Sequence, residues 1–277
     1  MRDFLLRYAL CLRWGIFAFV LPGYAHSANI PRPVPIVYEI SARKLDPEAV
    51  NTYPQHLLRI EQRDSACIIR VQVDPLTANP DFGRIKNLPY NKEGEYPAEI
   101  ARFLEPTALT NFNVPEIEHA VDSVLQLNNG HILDVIRKLL TYSSQRIEYD
   151  SELAEQLDCG ACTTLPVEEI LHRGKGTCSE YTNLFLALAR KAGIPSRMAI
   201  GYIYIPAQGF QGSHAWAECY LPGYGWLGVD PQNAFIGIPP TAVKLFLGRD
   251  FPDSGIGTLP EMYPVEIKIL EEITDKK

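Results

Sequence analysis

The stretch Gly174-Lys175-Gly176-Thr177-Cys178-Ser179-Glu180 starts a helix and puts a thiol in its first turn. Thr177 followed three residues later by Glu180 is a capping box: the hydroxyl accepts the Glu180 N–H, and the carboxylate reaches back to the Thr177 N–H. Tyr181, Leu184, Phe185, Leu188 and Ala192 recur at helical spacing and give one apolar face, and Gly193 with Pro195 ends the helix. The positive end of the helix dipole favours a thiolate at Cys178 over a thiol. Gly174 and Gly176 read as leaving room for a substrate backbone. On spacing alone a cysteine at a helix start is more often an inert small hydrophobe, so its meaning depends on its surroundings.

Downstream, Ser196 to Tyr204 and His214 to Tyr220 read as strands, Pro222-Gly223 turns the chain, and Gly225 to Asp230 returns antiparallel. A three-residue connection predicts Tyr220 opposite Tyr224 and His214 opposite Asp230. Cβ atoms of such partners lie roughly 4.5 to 5.5 Å apart, close enough for a carboxylate to orient an imidazole. Cys178, His214 and Asp230 are then the parts of a nucleophile, base and orienter constellation. Strand parity puts Trp216, Glu218 and Tyr220 on the face of His214, and leaves Ala215, Ala217 and Cys219 to receive a packed helix. Trp216 reads as aromatic filling and Glu218 as a solvated or ion-paired strand residue.

Upstream, Val114-Pro115-Glu116 opens a helix with Ile117, Val121, Val124 and Leu125 on one face. A second follows from about Ile132 to Ser143, and Pro166 to Arg173 is a short third. Residues 28–105 read as β-rich, with strands near 36–40, 57–61 and 67–73, and the proline-dense stretch Asp74 to Pro97 reads as loops or an edge hairpin.

Arg2, Arg7 and Arg13 precede the apolar run Trp14 to Leu21, and Pro22-Gly23 and Ala25-His26-Ser27 follow, which is the layout of a signal peptide over residues 1–27. The run falls short of the roughly 20 apolar residues a spanning helix needs, and no later stretch reaches that length. A periplasmic or secreted protein with no integral membrane segment in its mature chain is expected. Hydrophobic residues make up 46% and charged residues 21% of the 277, so a folded chain is expected rather than a solvated polymer. A net charge of −7 argues against nucleic acid as a partner.

Six cysteines are present, of which Cys11 leaves with the signal peptide. Export favours a local Cys159–Cys162 disulfide. Cys67 and Cys219 either pair or stay as buried thiols. A zinc site of Cys159, Cys162, His172 and Cys178 fits no standard ligand spacing, so neither a metal nor a cofactor is expected.

Gly-Lys-Gly-Thr-Cys178, Gly193-Ile194-Pro195-Ser196-Arg197, Gly201-Tyr202, Ser213-His214-Ala215-Trp216 and Trp226-Leu227-Gly228-Val229-Asp230-Pro231 together resemble the successive motifs of the bacterial transglutaminase-like superfamily. The resemblance spans about residues 100–235, and Gly248-Arg249-Asp250-Phe251 is similar to a segment that often follows. It implies an α+β, papain-like transglutaminase core, in which the helix bearing the cysteine packs on an antiparallel sheet, preceded by the N-terminal β-rich region. The expected division is 1–27 signal peptide, 28–105 β-rich region, 106–240 catalytic core and 241–277 C-terminal extension. By the same resemblance Cys178 is the nucleophile, His214 general base and acid, and Asp230 the orienting carboxylate. The implied chemistry is acyl transfer through a thioester on amide bonds of a protein or peptide, with hydrolysis favoured over crosslinking. The Cys178 N–H is the natural first oxyanion donor, and Tyr149 or Gln145 the candidate second. The competing reading is a catalytically inactive module of the same fold that binds peptide or cell-wall glycan.

Overall fold

The computed structural model describes residues 35–63, 66–74, 80–158, 163–205, 210–239, 241–256 and 264–272. The expected signal peptide and the Cys159–Cys162 pair lie outside them. Short alternating runs build an antiparallel sheet from β1 (Ile36–Ala42), β2 (Gln55–Arg63) and β3 (Ala66–Val73). The helices α1 (Pro115–Gln126) and α2 (Ile132–Arg146) come next, the first with Pro115 in its opening turn, where a missing N–H costs nothing. Then come β4 (Glu148–Tyr149), α3 (Ser151–Asp158), α4 (Val167–Arg173), β5 (Lys175–Gly176) and α5 (Cys178–Lys191).

The chain continues as β6 (Ser196–Ile205), β7 (Phe210–Leu221), β8 (Gly225–Asp230), β9 (Phe235–Ile236), β10 (Ala242–Gly248) and β11 (Pro264–Glu272). A five-stranded antiparallel sheet has the order β10-β6-β7-β8-β9, and β11 joins the first sheet beside β1. Residues beyond 240 thus supply a strand to each main sheet. The short β4 and β5 pair in parallel.

One continuous core holds Tyr38, Ile40 and Ile69 of the first sheet, Val135, Ile136 and Leu139 of α2, Leu184, Phe185 and Leu188 of α5, and Ala215, Ala217 and Cys219 of β7. The small β7 residues are those that parity assigned to the helix. α5 is buried on every side: each residue from Ser179 to Arg190 is inside. Its polar residues therefore need internal partners. Arg190, for example, donates to the carbonyls of Ser196 and Glu105 and to the Thr110 hydroxyl. The opposite face of the central sheet carries a smaller cluster of Ala199, Ile203, Trp216, Ile238 and Ala242. Among the described residues, no helix is long and apolar enough to cross a membrane.

Candidate active site

Thr177 is the N-cap of α5 and the capping box is closed, with the Thr177 N–H donating to Glu180 Oε2 at 2.8 Å. Cys178 is the first helical residue and half-buried. The two glycines before it do not clear space for substrate, contrary to the sequence expectation. Gly174 ends α4 in the left-handed region at φ +65°, which disfavours a side chain. A Cβ on Gly176 would stand 2.3 Å from Glu180 Cβ, so its bareness admits Glu180.

The hairpin brings His214 and Asp230 together by a register two residues away from the expected one. Tyr220 pairs with Trp226 and Leu221 with Gly225, so Pro222, Gly223 and Tyr224 form the turn and Asp230 falls in line with Trp216. Tyr224 is used up in the loop instead of starting the ladder. His214 and Asp230 are consequently diagonal neighbours, still within side-chain reach, and His214 Nε2 lies 2.9 Å from Asp230 Oδ2. The Cys178 thiol is close enough to act on the same ring. All three residues expected from sequence therefore meet.

Two groups that sequence reading missed hold them in place. The Asn233 side chain donates to Asp230 Oδ2 at 2.9 Å, and its backbone N–H donates to Oδ1 at 3.2 Å. The signal was available as Asp-Pro-x-Asn, an aspartate with a turn donor three residues on. The Thr182 hydroxyl lies 2.8 Å from the Cys178 carbonyl and 3.2 Å from that of Ala215, tying the first turn of α5 to the residue after His214.

Burial by itself would push the His214 imidazole down. The Asp230 carboxylate, the bond to it and the Cys178 thiol outweigh that and carry it up to about 10. Burial likewise works against the Asp230 carboxylate, but His214 and the two Asn233 bonds hold it below the usual range. Both shifts favour the same charge arrangement, a protonated ring beside an ionised carboxylate. Trp216 packs nearly parallel to this ring, centroids 6.3 Å apart, and is itself buried in the smaller cluster.

Glu218, two residues further along the same face of β7, is ion-paired, the second of the two alternatives read from sequence, and it is buried instead of solvated. It is buried between Lys244 Nζ and Arg197 Nη2, each 2.6 Å from one of its oxygens. The Arg197 guanidinium in turn covers the Trp226 ring at 3.9 Å.

Tyr149 sits on β4 opposite Gly176, two residues before the thiol, and Gln145 lies on α2; both side chains are solvent-exposed. Cys67 and Cys219 are separate buried thiols, both pushed up by burial. His172 lies in the last turn of α4, and Cys178 is engaged with His214. No cluster of three or more metal-ligating side chains occurs among the described residues.

Residues 120–231 match the transglutaminase-like superfamily. A Mycobacterium leprae protein is 28% identical over 116 residues, which covers 38% of this chain and 40% of that protein. A Haemophilus influenzae protein is 37% identical over 94 residues, 26% of each chain. The protein-glutamine gamma-glutamyltransferase of Pseudomonas aeruginosa is 37% identical over 65 residues, covering 20% of this chain and 10% of its own. The chain thus spans two-fifths or less of the curated relatives it matches. The crystal structure of a candidate cysteine protease from Cytophaga hutchinsonii superposes with a TM-score of 0.55 at 15% identity, covering 85% of this chain and 88% of that one. The α+β fold is one this chain shares with that protein.

Proposed function

We propose, from the match of residues 120–231 to the transglutaminase-like superfamily and the geometry above, that this chain is an exported thiol enzyme that cleaves amide bonds of a protein or peptide through Cys178, His214 and Asp230. The observation that carries the reading is the His214 imidazole bonded to the Asp230 carboxylate at 2.9 Å, with the Cys178 thiol at the helix start acting on the same ring. The Cys178 sulfur attacks the amide carbonyl, and the Cys178 N–H at the helix start faces the developing oxyanion. Tyr149, whose backbone lies opposite Gly176 on β4, is taken as the candidate second donor. His214 gives its proton to the departing amine, leaving a thioester. Water then adds to the thioester carbonyl as His214 takes its proton, and collapse releases a carboxylic acid and leaves the Cys178 thiolate beside the reprotonated ring, ready for the next cycle. Hydrolysis is favoured over crosslinking because water needs no acceptor site of its own. Export rests on the basic, apolar and small-residue succession of residues 1–27.

The test is iodoacetamide labelling of the purified mature protein, with peptide mapping to follow Cys178. Labelling near pH 6 should be faster than in denaturant, where an ordinary thiol is ionised only near its pKa of about 8.5. His214→Ala should abolish the difference. A native Cys178 that labels no faster than the unfolded one, or a Cys178→Ala protein that still cleaves amides, would leave the peptide- or glycan-binding module as the better reading.

A further inference from the structure

We infer that Glu180 is a positioning residue for the nucleophile, acting through a carboxylate that clamps two chain segments together; this rests on the thiol-enzyme reading above. Glu180 is fully buried, and among the described residues no cation pairs with it. On one side, Oε1 accepts from the Thr164 hydroxyl at 2.6 Å and from the Leu165 N–H at 2.9 Å. On the other, Oε2 accepts from the Thr177 N–H at 2.8 Å and from the Thr177 hydroxyl at 2.6 Å. A capping box needs only the second set. The first set binds a separate strap, residues 164 and 165, to the turn that presents Cys178. Asn183 reinforces the strap by donating to the Thr164 hydroxyl and the Leu165 carbonyl.

A backbone N–H can only donate, and one reaches each oxygen: Leu165 on Oε1 and Thr177 on Oε2. Glutamine, with one oxygen and one NH2, would meet one of them with a donor however its amide is turned. Glu180→Gln must therefore release either the strap or the turn. From the turn the restraint passes to Cys178, and through the Thr182 hydroxyl to Ala215, the neighbour of His214. Loss of either hold lets the sulfur move relative to the imidazole. Displacements of about 1 Å cost an active site on the order of 100-fold.

Electrostatics gives the opposite sign, which makes the inference testable. A carboxylate two residues from Cys178 repels a thiolate, so its neutralisation alone would speed labelling at low pH. Positioning predicts slower labelling. Iodoacetamide rates at Cys178 are measured from about pH 6 to pH 9 for the wild type, Glu180→Gln and Thr164→Val, each checked for a cooperative melt. Glu180→Gln should label about tenfold more slowly at the acid end, and the gap should close at the alkaline end, where the thiolate forms without the imidazole. Thr164→Val, which removes one of the Oε1 donors, should show a smaller loss of the same sign, about threefold. A folded Glu180→Gln protein with the wild-type profile, or a faster one, overturns the inference, and a lowered melting point without a changed profile marks a merely structural role. If Glu180→Gln does not fold, Thr164→Val decides: a wild-type profile there overturns the inference. A wild-type Cys178 no faster than in denaturant overturns the thiol-enzyme reading instead, and this inference falls with it.

Discussion

His214 and Glu218 project from one face of β7 with Trp216 between them, and each sits in a buried cluster of charged groups. The clusters differ in what is left unengaged. Around Glu218 both carboxylate oxygens are taken by cations, and Lys244 also donates to the Tyr53 carbonyl at 3.3 Å. Burial pushes Lys244 down against the pull of Glu218, and the Glu218 carboxylate, which burial would raise, is kept low by Lys244 and Arg197. Around His214 one ring nitrogen is fixed by Asp230, while the half-buried Cys178 thiol acts on the ring. A closed cluster of this kind ties elements together: Arg197 is on β6, Glu218 on β7 and Lys244 on β10. An open one leaves a proton and a nucleophile available for a reaction. Burial of charge is common to both, and the accessible partner separates a site from a staple.

The largest effect should come from the closed cluster. Glu218→Ala leaves two buried cations without their anion and should cost about 3 to 5 kcal/mol, read as a lowered urea midpoint at unchanged slope. A loss under about 1 kcal/mol would mean that water already reaches the cluster and that the contrast with the His214 end is false. Next is Asp230→Asn at the open end. It removes the charge that raises His214, so the ring's NMR titration should fall from about 10 toward its ordinary value near 6.5. Labelling of Cys178 near pH 6 should slow by about 100-fold, while the circular dichroism spectrum is retained. An unmoved titration would show that Asp230 does not set the ring's charge.

The smallest effect is the dependence of stability on pH. The folded ring at about 10 lies above its unfolded value near 6.5, so the native state keeps a proton that the unfolded chain releases. Stability from this ring is complete below about pH 6.5 and is lost as pH rises toward 10. Asp230 behaves oppositely: its contribution is complete above the ordinary carboxylate range and is lost on acidification. His214→Gln should therefore flatten the decline in urea midpoint between about pH 7 and 9, by roughly 1 to 2 kcal/mol across the range. Equal slopes in the two proteins would place no titration at His214.

Local chemistry made much of the site readable. The capping box lies within four consecutive residues, and a short turn forces β7 and β8 to be neighbours whatever surrounds them, so a cysteine at a helix start and a His–Asp pair could both be deduced. The register came out two residues away because loop length alone did not assign Tyr224 to the turn. Period-3.6 patterning likewise showed α1 and α2, whose apolar stripes face the core. Glu218 could not be read in the same way. Its partner Lys244 arrives from β10, across β6, and no spacing along the chain expresses that juxtaposition.

What the sequence by itself determined is therefore whatever short-range geometry dictates: the helix that begins at Cys178, the hairpin that joins His214 to Asp230, and the side-chain parity along β7. Tertiary structure alone decided that the helix approaches the hairpin with its sulfur at the imidazole, that Gly176 yields its space to Glu180, and that Thr164 and Leu165 meet the same carboxylate. Those contacts join segments separated by loops, and a pairing across a loop depends on how every layer packs, whereas a cap or a tight turn depends only on the few residues that form it.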